Sequence, residues 1–226
     1  MVPVHARRGW LVASVACALV LYALLWIGFA QRWAWVDAID RPAIDAMFAY
    51  GTAHPGWVQS WDLFCTVLGP TAFRLVALVV VVVALTRRNV RTALFLVISV
   101  ELGGLVTETA KAAANRPRPA EALVQAPSTS FPSGHAQGVM VGVLAFLTLL
   151  LPVVRRPLRV LLVALGVLIV VAIGAGRVVL CVHHPSDVLA GWALGYVWFV
   201  VCLMLVPPAK PVTAADETPA AHGSSR

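Results

Sequence analysis

The chain has 226 residues, of which 60% are hydrophobic and only 12% are charged, and its mean hydropathy is +0.87. A soluble domain is about half apolar and about a quarter charged, so this composition excludes a soluble domain, a disordered chain and a coiled coil. The net charge of +7 does not indicate a nucleic-acid partner, because loop lysines and arginines set the orientation of a membrane protein. The sequence therefore predicts an integral membrane protein.

Six segments are long and apolar enough to cross a hydrocarbon core of about 30 Å, which takes about 20 residues. They lie at 10–30, 67–86, 92–111, 133–154, 158–176 and 187–206. The first could be a signal peptide, but its apolar run exceeds the roughly 7–15 residues of a signal sequence, which favours an uncleaved span. The sequence thus predicts an all-α bundle of six transmembrane helices in one domain, residues 1–206, followed by a disordered tail at 207–226.

Basic residues cluster on one side of the six spans, which the positive-inside rule makes the cytoplasmic side. Both termini are then expected in the cytoplasm. The opposite face would carry the segments 31–66, 112–132 and 177–186. The basic residues that set this orientation are Arg7, Arg8, Arg87, Arg88, Arg91, Arg155, Arg156, Arg159 and Lys210.

Further cations and histidines border the loops of the opposite face, where positive charge is usually scarce. A phosphate-bearing ligand would explain them. The sequence Ser133-Gly134-His135 opens the fourth span, where the free N–H groups of a helix start would bind an anion. The other residues of this group are Lys111, Arg116, Arg118, Arg177, His183 and His184.

Two of these histidines are suited to different catalytic tasks. Asp187 follows His183 by four residues, so its carboxylate could fix the imidazole tautomer and leave the other ring nitrogen free to attack phosphorus. A second histidine could protonate the leaving group and later activate water. A zinc site formed by His135, His183 and Asp187 is the alternative. The neighbouring cations would repel a divalent ion, so we expect activity to survive chelators.

Three motifs carry a resemblance to a known family. Lys111 to Pro119 fits K-x6-R-P, Pro132 to His135 is P-S-G-H, and Arg177 to Asp187 fits R-x5-H-x3-D. Together they resemble the type 2 phosphatidic acid phosphatase superfamily, whose fold is related to that of the vanadium haloperoxidases. The resemblance implies hydrolysis of a lipid phosphomonoester or diphosphate without a metal or other cofactor. The substrate would be phosphatidate-like or a polyprenyl diphosphate.

The same resemblance assigns the individual residues. His183 would be the nucleophile, Asp187 its orienting carboxylate and His135 the general acid. Phosphate would be bound by Lys111, Arg118, Ser133, Gly134 and Arg177. The family usually has serine where this chain has Gly176, so one phosphate contact is missing or comes from the Gly176 N–H. Arg116 would support Arg118 or face water, and His184 is the weaker histidine candidate.

Two carboxylates inside the third span are expected to have partners, because an ionisable group in the membrane is rarely idle. Glu101 could pair with Arg74 or be protonated, and Glu108 could pair with Lys111 on one helix face. Two other functions stay open at this point, a lipid-diphosphate phosphotransferase and a non-catalytic transporter or binder of phosphate-bearing lipid. A bacterial inner membrane with the site facing the periplasm is the expected location, and the oligomeric state stays open.

Overall fold

The computed structural model describes residues 4–209, and every regular element in that part of the chain is helical. This confirms the all-α prediction. The tail predicted at 207–226 lies outside the described residues from position 210 onward. The helices are α1 (Val4–Ala30), α2 (Ala34–Ala53), α3 (Pro55–Val67), α4 (Pro70–Thr86), α5 (Val90–Leu96), α6 (Gly103–Ala114), α7 (Gly134–Leu150), α8 (Arg156–Val179) and α9 (Pro185–Leu205).

Five helical stretches are long and apolar enough to cross a membrane. The helix α7 covers the remaining predicted span, but its 17 residues are at the lower end of the length that crossing requires. The count of six spans and the cytoplasmic termini therefore stay predictions. The five stretches are Gly9–Ala30, Pro55–Thr86, Val90–Ala114, Arg156–Val179 and Pro185–Leu205.

The segment 31–66 was predicted as a loop but forms α2 and α3. Val36, Asp40 and Ile44 of α2 are buried, and their spacing of four residues places them on one helix face. Pro55 begins α3, where its missing N–H costs no helix hydrogen bond. The acidic and aromatic residues of this segment are typical of a surface loop, so the amphipathic helix α2 is not predicted from them.

A π-helical turn at Val97–Glu101 joins α5 to α6. Such a turn inserts one residue into the helical register and is frequent at functional sites. It rotates the residues of α6 relative to those of α5. Glu101, the last residue of the π-helical turn, contacts Arg74 of α4, whose Nη2 donates to the Glu101 carbonyl at 2.6 Å and whose Nε lies 3.8 Å from Oε2. The predicted pairing of these two residues is confirmed.

Close contact between α7 and α9 depends on glycine. A Cβ atom on Gly191 would lie 2.6 Å from the Ser133 carbonyl oxygen and 2.9 Å from the Ala136 Cβ. A Cβ atom on Gly195 would lie 2.8 Å from the Gln137 carbonyl oxygen. Small residues of this kind let helix backbones approach in lipid, so these two glycines set the distance between α7 and α9.

We expect Gly191→Ala to lower the thermal unfolding temperature in detergent, because the added methyl group must push the Ser133 backbone away. Overpacking of this kind costs about 1–3 kcal/mol. Gly56→Ala is the matched control, since nothing lies within 4 Å of a Cβ atom at that position. Equal unfolding temperatures of the two variants would contradict the prediction.

Candidate active site

The three motifs meet at one end of the bundle. Lys111 lies in the last turn of α6, and Ser133 is the N-cap of α7. Arg177 lies in the last turn of α8, and Asp187 lies in the first turn of α9. Because α6 and α8 end where α7 and α9 begin, their side chains surround the short turn that carries His183.

The His183 ring is buried, with 2% of its surface exposed, and its Nε2 lies 3.2 Å from Nη1 of Arg118. A guanidinium group can only donate hydrogen bonds, so Nε2 is the acceptor and carries no proton. The proton of the neutral ring is then on Nδ1. His183 therefore presents an unprotonated Nε2 beside a fixed positive charge.

Arg118 is held in place by the backbone. Its Nη1 donates to the Val182 carbonyl at 2.6 Å, its Nη2 to the Pro127 carbonyl at 2.7 Å and its Nε to the Ser128 carbonyl at 3.1 Å. These bonds tie the segment 115–133 to the turn before α9. The guanidinium is fixed before any ligand arrives, which reduces the entropy lost on binding an anion.

The imidazole of His183 is neutral at neutral pH. Burial lowers the pKa of His183 to about 4, and the positive charges of Arg118 and Arg177 act in the same direction. Asp187 opposes this shift by favouring the charged ring. A neutral imidazole with a free nitrogen is the form that attacks an electrophile.

Asp187 is completely buried and accepts hydrogen bonds at both oxygens. Oδ1 accepts from Nη1 of Arg116 at 2.7 Å, and Oδ2 accepts from Oγ of Ser130 at 2.5 Å and from the His184 N–H at 2.8 Å. The distance from Oδ2 to Nδ1 of His183 is 3.6 Å, which exceeds hydrogen-bond length. Ser130 Oγ lies 3.5 Å from the same Nδ1, so the serine hydroxyl contacts the carboxylate and also lies beside the imidazole.

Arg116 is buried and joins two carboxylates. Its Nη1 binds Asp187, and its Nη2 lies 2.8 Å from Oδ2 of Asp40 in α2. Asp40 also accepts the Ser186 N–H at 2.9 Å and the Ser186 hydroxyl at 2.5 Å. Of the two roles expected for Arg116, exposure to water is therefore wrong. Asp40 and Ser130 were not foreseen as site residues.

The remaining basic residues of the motifs surround the start of α7. Lys111 Nζ donates to Ser128 Oγ at 3.1 Å and to the Thr129 carbonyl. Arg177 is buried, and its Nε has no hydrogen-bond partner among the residues at 4–209. A buried donor without a partner costs about 1–3 kcal/mol, and a phosphate oxygen would supply the missing acceptor. Lys111 and Glu108 form no ion pair within residues 4–209, and Glu108 is exposed, so their predicted pairing is not found.

His135 lies in the first turn of α7 against the turn between α3 and α4. A Cβ atom on Gly69 would come within 3.4 Å of its Nε2, so the glycine leaves room for this ring. His184 lines a cavity of about 500 Å³ that also borders Arg118 and α2. Its Nδ1 lies 3.3 Å from Oδ2 of Asp187, so it contacts the carboxylate and faces the cavity. Among the described residues, no three His, Cys, Asp or Glu side chains form a group that could hold a metal ion.

Gly176 stands where the related family usually has serine, and its packing explains the difference. A Cβ atom there would lie 2.5 Å from Sγ of Cys65 and 2.9 Å from the ring of Trp61. A serine at 176 would require the Cys65 and Trp61 side chains of α3 to shift. Gly176 also lies within α8, where its N–H belongs to the helix hydrogen bonds. The expected phosphate contact from the Gly176 N–H is therefore not supported.

The fold and this site define an integral membrane protein with a buried histidine and a set of basic side chains suited to an oxyanion. The family model of the PAP2 superfamily matches residues 92–211, more than half of the chain. The chain therefore belongs to the PAP2 superfamily, which confirms the resemblance seen in the motifs.

Comparison with other proteins identifies a solved structure of similar fold. A search of curated proteins returned no significant match. Among solved structures, the first transmembrane PAP2-type phosphatidylglycerolphosphate phosphatase from Bacillus subtilis matches with a TM-score of 0.66 and 24% sequence identity. The match covers 85% of this chain and 93% of that chain. The likeness shows a shared fold.

We expect Arg116→Gln to destabilise the protein strongly, because it leaves Asp40 and Asp187 buried without their cation. Breaking a buried ion pair costs about 3–5 kcal/mol, which thermal unfolding in detergent would measure. Arg41→Gln is the control, since Arg41 neighbours Asp40 in sequence but is exposed, and exposed positions change stability by about 0.5 kcal/mol or less. A similar unfolding temperature for the two variants would show that Arg116 does not hold the carboxylates.

The lowered pKa of His183 predicts a loss of stability in acid. Below pH 6.5, the ordinary histidine pKa, His183 is protonated in the unfolded chain. In the folded chain it stays neutral down to about pH 4. At pH 5 this difference amounts to roughly 2 kcal/mol. His183→Gln removes the group that titrates, so its unfolding temperature should fall less than that of the unchanged protein between pH 7 and pH 5. Parallel falls would mean that the His183 pKa is not lowered.

Proposed function

We propose that this protein is a membrane phosphatase that removes phosphate from a lipid phosphomonoester or diphosphate. The observation that carries the proposal is the buried, neutral His183, whose Nε2 lies 3.2 Å from Arg118. Membership of the PAP2 superfamily supports the reaction class. The fold relative from Bacillus subtilis, a phosphatidylglycerolphosphate phosphatase, supports a lipid phosphate as the substrate.

In the first step Nε2 of His183 attacks phosphorus, and the bond from phosphorus to the lipid oxygen breaks. His135 gives a proton to that oxygen, so a lipid alcohol, or a lipid monophosphate from a diphosphate, departs. Binding of a phosphate dianion beside His135 favours the protonated ring that this step needs. Lys111, Arg118 and Arg177 stabilise the negative charge on the equatorial oxygens.

In the second step water replaces the histidine. His135, now neutral, takes a proton from the water, and the water oxygen attacks the phosphorus of the phosphohistidine. The bond from phosphorus to Nε2 breaks, inorganic phosphate leaves, and both histidines return to their starting state. Asp187 and Ser130 stabilise the positive charge that His183 carries while it is phosphorylated.

The start of α7 completes the phosphate site in this proposal. Ser133 and the backbone of Gly134 lie at the helix N-terminus, where N–H groups and the helix dipole favour an anion. Three basic side chains supply the positive charge that a metal ion would otherwise bring, so the proposed reaction needs no cofactor. The basic loops of the opposite side predict that the site faces away from the cytoplasm. In a bacterial inner membrane, the location that the short loops favour, it would face the periplasm.

We expect purified protein to release phosphate from at least one lipid in a panel of phosphatidate, lysophosphatidate, phosphatidylglycerol phosphate and polyprenyl diphosphate, with EDTA present. His183→Ala should lower the rate at least about 10³-fold, because it removes the nucleophile. His54→Ala, which changes an exposed histidine between α2 and α3, is the control.

Four other results would contradict the proposal, each in a different way. Full turnover by His183→Ala would disprove the proposal. Loss of activity in EDTA that zinc restores would establish a metal site. Phosphate found on a second lipid would indicate a phosphotransferase. Lipid binding without a trapped phosphohistidine and without product would indicate a transporter or binder.

A further inference from the structure

A second cavity, of about 160 Å³, lies between α4, α6 and α7, deeper in the bundle than the phosphate site. Thr107, which lines it, precedes Lys111 by four residues on α6, which corresponds to a rise of about 6 Å along the helix. Gly134 lines the cavity and also opens α7, and a Cβ atom there would lie 3.3 Å from Thr107 Cγ2 and 3.9 Å from Lys111 Cε. The cavity therefore borders the proposed phosphate site at Gly134.

The cavity wall contains a hydroxyl group without a partner. Thr107 is 3% exposed, and its Oγ1 makes no hydrogen bond within the described part of the chain. Thr109 and Thr148, in contrast, each donate to the carbonyl four residues earlier, at 2.8 Å. Leaving a buried hydroxyl unpaired costs about 1–3 kcal/mol. A ligand in the cavity would recover that free energy.

Four other polar side chains line the same space, those of Arg74, Ser99, Glu108 and Gln137. Gln137 is 2% exposed, and its Nε2 makes only a long bond of 3.4 Å to the Gly103 carbonyl. Arg74 donates one hydrogen bond to the Glu101 carbonyl and pairs with the Glu101 carboxylate at 3.8 Å, whereas a guanidinium group has five N–H donors. Hydroxyl, amide and guanidinium groups around one small space are suited to a ligand that carries oxygen atoms.

We propose that this cavity binds the oxygen-bearing backbone of a glycerolipid substrate, next to the phosphate that the protein removes. The proposal rests on the proposed phosphatase function. In a glycerolipid phosphate, hydroxyl or ester oxygens follow the phosphate within a few bonds, and they could bond Thr107 and Gln137. In a polyprenyl phosphate only hydrocarbon follows, which would leave these groups unpaired. The cavity thus favours glycerolipid phosphates over polyprenyl phosphates.

The test compares two phosphomonoesters, dioctanoyl phosphatidate and farnesyl phosphate, in the same detergent micelles. Thr107→Val replaces the hydroxyl with a methyl group of similar shape. It should raise KM for the phosphatidate about two- to tenfold relative to KM for farnesyl phosphate, which is the effect of losing one hydrogen bond. Thr107→Ser, which keeps the hydroxyl, should restore the original ratio.

Thr109→Val is the matched control, because it changes an exposed threonine of the same helix and should leave the ratio unchanged. The proposal is wrong if Thr107→Val gives the same ratio as Thr109→Val, or if the unchanged protein acts only on farnesyl phosphate. It is also wrong if Thr107→Val lowers the unfolding temperature and both activities equally, since the hydroxyl would then hold the fold.

Failure of the phosphatase function itself would look different. The unchanged protein would then act on neither substrate. Thermal stabilisation by a non-hydrolysable phosphonate analogue of dioctanoyl phosphatidate would still test the cavity in the same variants. Stabilisation that Thr107→Val reduces and Thr109→Val retains would support the binding site. Equal stabilisation of both variants would overturn it.

Discussion

The ion pairs of Arg116 with Asp40 and Asp187 hold together three parts of the chain that are distant in sequence. Asp40 belongs to α2, Arg116 to the segment after α6 and Asp187 to the first turn of α9. Buried charges are tolerated only when their remaining oxygens and protons are also bonded, and Ser130 and Ser186 supply those bonds. Because His183 stands just before α9, its position depends on this network.

The site has more positive charge than its own carboxylates neutralise. Asp187 is already engaged by Arg116, while Lys111, Arg118 and Arg177 surround the start of α7 without a buried carboxylate of their own. Such an arrangement costs free energy in the absence of a ligand. An anion with several oxygens would lower that cost. The buried Nε of Arg177, which has no hydrogen-bond partner among residues 4–209, is one group that such an anion would satisfy. Burial is the main reason that the pKa of His183 is lowered, and the positive charges act in the same direction.

The sequence identified the residues whose roles depend on neighbours close to them in the chain. Motif spacing and the apolar runs located His183, Arg118 and the helix ends that bring the motifs together. They did not reveal Asp40, which pairs with a residue 76 positions away and lies in a segment whose acidic and aromatic residues suggested a loop. Long-range ion pairs leave no periodic pattern in a sequence. The fit of Gly176 against Cys65 likewise depends on the packing of α3, which spacing alone does not predict.

Helix geometry connects the two parts of the proposed lipid site. Lys111 and Thr107 are four residues apart on α6 and therefore share one face, so a single helix presents a cation to the phosphate and a hydroxyl about one turn deeper. The π-helical turn before α6 sets which face that is, because an extra residue rotates everything that follows it. A straight continuation of α5 would direct these side chains elsewhere. The spacing of Thr107 and Lys111 on α6 thus sets the distance between the proposed phosphate position and the hydrogen-bonding groups of the cavity.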